Sequence, residues 1–274
     1  MAERTRIVGS EVSQERALLQ FFGLVFALAV PFWLFGRKKL PLPVNLPATA
    51  LGTFVPAIAA AVVTHRQRGP DGVKELLGRT LDYQKVANKA WYLPTLLLMP
   101  SIYSASYGVL RLARLPLPER IRIPFKEAPA FFVIFFVGDA GEELGWSGYA
   151  IDPMQERWGA LKASLILGSI WAVWHAIPYV QTGNPPRWVV WQTLSLIPAR
   201  MLTVWIYNNT GKSVFTTTLF HDITNLSWSL FPNYGSHYNP FVTNLITSVV
   251  AAIVAFAWEP KTLARLRRAR LSQA

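Results

Sequence analysis

Five stretches of the chain, 17–36, 40–64, 90–110, 163–186 and 223–258, contain no Asp, Glu, Lys or Arg. A helix that crosses a bilayer needs about 20 mostly apolar residues, so each stretch is long enough to cross. The last is too long for one crossing; Pro232, Gly235 and Pro240 divide it into the end of one helix and the whole of another. Shorter apolar pieces at 128–150 and 188–207 supply further helices. The pattern predicts an all-α fold, a multispanning transmembrane helix bundle of about eight helices. Between 65 and 90 the pattern turns polar. Gly69-Pro-Asp-Gly72 reads as a turn, and Val73, Leu76, Leu77 and Leu81 share one face of a short amphipathic helix suited to a membrane interface.

Composition adds little to fold class but narrows function. The absence of cysteine excludes disulfides, thiolate chemistry and any Cys-ligated zinc or iron–sulfur site. Ala27-Leu-Ala29 resembles a signal-peptidase site, yet the apolar run continues past it to Arg37-Lys-Lys39, as a first membrane helix would. The net charge of +12 does not point to nucleic acid, because the basic residues flank the apolar runs instead of forming one face. With the amino terminus inside, 17 Lys and Arg fall on the inner side and 9 on the outer. That bias predicts both termini in the cytoplasm. The basic segment Lys261–Arg270 reads as a stop-transfer anchor touching anionic lipid. No repeat, low-complexity tract or linker divides residues 1–274, which are expected to form a single integral membrane domain.

Candidate chemistry lies where polar groups interrupt the apolar runs. An ionised carboxylate near the bilayer centre costs roughly 2.5–3.5 kcal/mol, so such groups face a protein interior or a wet cavity. Glu142 and Glu143 end the apolar run that begins at Ala128; His175 follows Trp171 by one helical turn; His221 and Asn225 are one turn apart. On a helix Glu142, Trp146 and Tyr149 share a face, while Gly141, Gly145 and Gly148 form a small-residue face that another backbone can approach. Glu143 is rotated about 100° from Glu142, so one can meet a water while the other steadies it. Each feature has a plainer alternative. The glutamates could reach the membrane surface, as nearby Asp139 suggests, and the histidines could be hydrogen-bonded core residues. Arg200, two residues after Pro198, is a further charge within a predicted span that must pair or snorkel. His65 and His237 read as surface residues.

Three of these elements, in order, resemble a known family. Glu142-Glu-Leu-Gly-Trp-Ser-Gly-Tyr149, Trp171-Ala-Val-Trp-His175 and His221-Asp-Ile-Thr-Asn225 are similar to the motifs of the CPBP intramembrane proteases. That family includes the type II CAAX prenyl endopeptidases and the bacterial Abi or bacteriocin-processing proteins. Its patterns are Glu-Glu-x-x-x-Arg, aromatic-x-x-x-His and His-x-x-x-Asn, and the similarity covers about residues 128–230, a span set by the motifs and their helices. Asn208–Ser213 also looks like the family's turn before the third motif. The resemblance implies an intramembrane endopeptidase of the bacterial cytoplasmic membrane, with a peptide or protein substrate, membrane lipid as its surroundings and no nucleic acid. Glu142 would activate water, Glu143 would support it, and His175 would position the water. His221 and Asn225 would stabilise the oxyanion or bind a metal. The family is classed with the metallopeptidases, so Glu142, His175 and His221 form a possible Zn2+ set; a metal-free mechanism is equally open.

One departure stands out. Ser147 occupies the position of the family arginine, and serine replaces neither its permanent charge nor its donor fork. Either Arg200 or Lys162 could return the charge. The alternative is a catalytically weakened family member acting as a membrane scaffold or chaperone. A transporter with buried charges along its path is a third reading.

Overall fold

The computed structural model describes residues 2–36 and 48–266, and the basic clusters 37–39 and 267–270 lie outside them. The described residues form helices and connecting turns without a strand, in the order α1 (Ala2–Phe35), α2 (Val55–Gly78), α3 (Tyr92–Leu112), α4 (Ala128–Gly145), α5 (Ile151–Trp158), α6 (Ala160–Gln181), α7 (Pro186–Asn209), α8 (Val214–Leu230) and α9 (Pro240–Ala257). The expected all-α bundle is what forms. Five segments are long and apolar enough to cross a membrane: Gln14–Phe35, Lys89–Leu112, Ala160–Gln181, Pro186–Asn209 and Pro240–Ala257. Their outward positions carry large exposed apolar side chains, among them Leu34, Leu93, Val173, Ile253 and Phe256.

Local signals explain where helices begin and end. Asn239 caps α9 by accepting from the amides of Phe241 and Val242, directly before Pro240. Ser213 caps α8 from the Thr216 amide, and the Asp82 carboxylate accepts from the Phe215 amide at 3.0 Å as a second cap. Gly159, at φ 75°, allows the sharp reversal between α5 and α6.

The charge-free run 40–64 lies partly outside the described residues. Its described part begins as a 3-10 helix, Ala48–Phe54, and continues in α2, where Gly69 (φ 67°, ψ −164°) breaks the helical backbone at the turn read from sequence, ahead of the residues read as a short helix. On that second segment Leu76 is buried, while Leu77 and Leu81 are exposed. One expectation needs correction: the C-terminal segment is not wholly a basic tail. Residues up to Leu266 fold back over the bundle end, where the carbonyls of Pro260 and Lys261 accept from the Leu161 and Ala160 amides and Leu263 is fully buried.

The glycine face of α4 does what its spacing suggests. A Cβ at Gly145 would lie 2.5 Å from Pro56, and one at Gly141 would lie 2.9 Å from the Thr53 carbonyl, so the start of α2 and the turn before it lie directly on α4. On its other side α4 packs against α8, and α6 packs against α7. After Gly145 the helix widens into a π-turn, Trp146–Ala150. Arg79 holds this end together, donating to the Gly148 carbonyl (2.5 Å), the Tyr207 hydroxyl (2.6 Å) and the Lys212 carbonyl (3.0 Å). Tyr207 donates in turn to Asp152 at 2.9 Å. The 3-10 turn that follows α2, the π-turn, α5 and α7 are thereby tied together.

Candidate active site

Glu142 and Glu143 are both buried, in unlike surroundings. Glu142 lies on the wall of a cavity of about 240 Å³, also lined by His175, His221, Asn225 and Trp171. Glu143 does not reach that wall and has no exposed surface. The 100° offset along α4 therefore separates the pair as expected, and the surface reading of the glutamates and of Asp139 does not hold, since Asp139 is also buried.

Glu142 receives two indole donors on Oε2, from Trp171 at 2.8 Å and from Trp146 at 3.3 Å. The i, i+4 relation of Glu142 and Trp146 makes the second contact possible. Its Oε1 faces Nε2 of His175 at 3.6 Å and the Thr53 hydroxyl at 3.5 Å. His175 Nδ1 lies 3.1 Å from the Trp171 carbonyl, which only accepts, so Nδ1 carries the proton. In the neutral ring, Nε2 then presents a lone pair toward a carboxylate oxygen. A molecule that donates to both, such as water, suits that gap.

A second layer sits behind the first. Glu143 accepts from Nη1 of Arg200 at 2.9 Å on both oxygens, from the Ser147 hydroxyl, and from His221 Nδ1 at 3.2 Å. Asn225 Nδ2 lies 3.0 and 3.1 Å from the two oxygens of Asp139, and His221 Nε2 lies 3.7 Å from Asp139 Oδ1. Trp171 stands between the histidines, with ring centroids 5.0 Å from His175 and 5.3 Å from His221.

The residues singled out from sequence thus come together. Glu142, His175, His221 and Asn225 share one cavity, and Arg200 turns inward to Glu143 while Lys162 is exposed at the surface. His65 is exposed, and His237 is half-buried with its ring 2.8 Å from the Ser236 hydroxyl. Asp139 and Thr53 were missed as site residues. Asp139 could have been found from its i, i+3 and i, i+4 spacing to the glutamates; Thr53 carries no comparable signal, because only the close approach at Gly141 brings it in.

A structural or catalytic zinc needs three or four nitrogen, sulfur or carboxylate donors around one point. Glu142 and His175 supply two, but His221 directs its nitrogens to Glu143 and Asp139. No three His, Asp or Glu side chains are grouped for a metal ion among the described residues. The proposed zinc set is not assembled in this arrangement.

Residues 124–227 match the family described as type II CAAX prenyl endopeptidase Rce1-like. A relative described as CAAX prenyl protease 2, from Methanococcus maripaludis (strain S2), is 22% identical over 219 residues, covering 75% of this chain and 79% of the relative. The matched segment contains all three motifs and nearly coincides with the core marked out by them. The CPBP family of proteases, hydrolases of peptide bonds, is the one that these comparisons support. With five helices able to cross a bilayer, the chain is an integral membrane protein.

Proposed function

We propose that this chain is an intramembrane endopeptidase that cuts a peptide bond in a membrane-associated or lipidated peptide or protein, with Glu142 as the base that activates water. The observation that carries the reading is the pairing of Glu142 with His175 on the wall of a largely enclosed cavity, with two indole N–H groups fixing the other carboxylate oxygen. Water held between Oε1 and the His175 lone pair gives its proton to Glu142 as its oxygen attacks the carbonyl carbon. The C–N bond then breaks, and the proton passes from Glu142 to the departing amine. Asn225 and His221, which line the same cavity and are held by Asp139 and Glu143, are the groups assigned to stabilise the oxyanion.

The scaffold alternative arose from Ser147. Its force is reduced by the buried Arg200, which occupies the Glu143 carboxylate that the family arginine would otherwise serve. The expected cytoplasmic position of both termini remains part of the proposal, resting on the distribution of Lys and Arg.

The test is cleavage of a quenched-peptide library, with prenylated and unmodified members, by the purified protein in liposomes. Cut sites are read by mass spectrometry. Peptide hydrolysis with defined cut sites is expected. Substrate flux across the liposome without cleavage would favour the transporter instead. Treatment with a strong chelator is expected to leave the rate within about twofold, since the base and its donors are side chains. Loss of activity restored by added zinc would contradict the metal-free step.

A further inference from the structure

Arg200 is the one fully buried cation among the described residues, and its placement is unusual for an ion pair. Only Nη1 bonds Glu143, at 2.9 Å from each oxygen, while Nε and Nη2 have no hydrogen-bond partner among the described residues. The guanidinium carbon instead stands 4.1 Å from the centroid of the Trp171 ring. That ring is the one whose N–H donates to Glu142 at 2.8 Å. The cation therefore touches both halves of the site: Glu143 by charge and hydrogen bond, and Glu142 through the indole that it stacks on. Two local features bring it there. Pro198 lies two residues earlier in α7, and Gly168 lets α6 approach so closely that a Cβ there would be 3.1 Å from the Ile197 backbone and 3.2 Å from Arg200 Cβ.

We propose that Arg200 is a positioning residue for this reaction, a clamp from α7 that fixes Glu143, and through it His221, while locking the Trp171 indole against Glu142. It takes over the task left open by Ser147, whose hydroxyl bonds the same Glu143 carboxylate but carries no charge. The proposal rests on the peptidase reading for its catalytic consequence, though not for the clamp itself.

The experiment uses the full chain in liposomes and compares Arg200→Gln, Ser147→Arg/Arg200→Gln, Glu143→Gln and Arg200→Gln/Glu143→Gln. Folded Arg200→Gln should lose at least about 10²-fold in kcat with KM within about threefold, because the substrate still fits while the groups that act on it are misplaced. Adding Ser147→Arg should restore at least about tenfold by returning a cation to Glu143 from the π-turn after α4. An unchanged kcat, or a folded double variant with no recovery, overturns the proposal. Where Arg200→Gln alone does not fold, the Ser147→Arg/Arg200→Gln protein is read directly: folded and active supports the clamp, unfolded overturns it. Thermal melts give the readout that is independent of catalysis. Arg200→Gln/Glu143→Gln should melt no lower than the worse single variant, since neither side chain then leaves a buried charge unpaired. Losses that simply add would show that the pair does not act as a unit. A wild-type protein that cleaves no peptide sinks the peptidase reading, and the melting cycle still decides the clamp.

Discussion

At the scale of single residues, the site is a carboxylate held by indoles. Trp171→Phe keeps an aromatic ring between the histidines but removes the shortest donor to Glu142. Hydrogen bonds to charged groups contribute about 1.5–3 kcal/mol, so kcat should fall about tenfold or more while the protein stays folded; kcat near wild type in steady-state cleavage would deny Trp171 a part in holding the base. Asn225→Ala should cost about 10²-fold in kcat, the scale of a lost oxyanion donor. Asp139→Asn should reduce kcat in the same direction but less, because Asn225 and His221 lose their anchor rather than their own groups. A larger loss from Asp139→Asn than from Asn225→Ala would assign Asp139 a direct part. Glu142, Glu143, His175 and His221 were legible in the sequence because charges and imidazoles stand out in apolar runs, and Asn225 because it follows His221 by one turn. What Asn225 is bound to was not, since its partner lies 86 residues earlier and helical periodicity says nothing about which face meets which.

At the scale of elements, glycine spacing carried more information than hydropathy. The face of Gly141 and Gly145 announced a close approach, and the backbone before and within α2 makes it. Gly145→Ala should destabilise by about 1–3 kcal/mol through overpacking, because the nearest atoms belong to backbone and proline and cannot swing aside. Gly108→Ala on α3 meets nothing within 4 Å and should be neutral or stabilising. Melting temperatures of the two variants in one detergent check both directions, and equal effects would contradict the packing described. Charge-free runs located α3, α6 and α9 well, and the apolar piece 188–207 located α7. The runs did not mark where the first part of α2 ends, since it runs past 64 through Arg66 and Arg68 to the break at Gly69, because hydropathy registers what the solvent prefers and not where backbone hydrogen bonds stop. Nor did they reveal α5, a short polar helix set off by the positive φ of Gly159.

At the scale of the whole molecule, one buried apolar cluster takes residues from every helix from α1 to α9 and from Leu263 beyond them. Exposed apolar side chains face outward on α1, α3, α6 and α9, while the buried charges concentrate around α4, α7 and α8. The bundle thus keeps a polar site inside an apolar shell, where fixed donors are not exchanged for water and act at greater strength. The central claim is that this interior site hydrolyses peptide bonds through Glu142. Its most direct test is the cleavage rate of Glu142→Gln in liposomes, under saturating peptide and beside wild type of the same melting temperature. Glutamine keeps the shape and one oxygen but cannot take the proton, so kcat is expected to fall by at least about 10²-fold. A folded Glu142→Gln protein that cuts the same peptide at the wild-type rate would contradict the account.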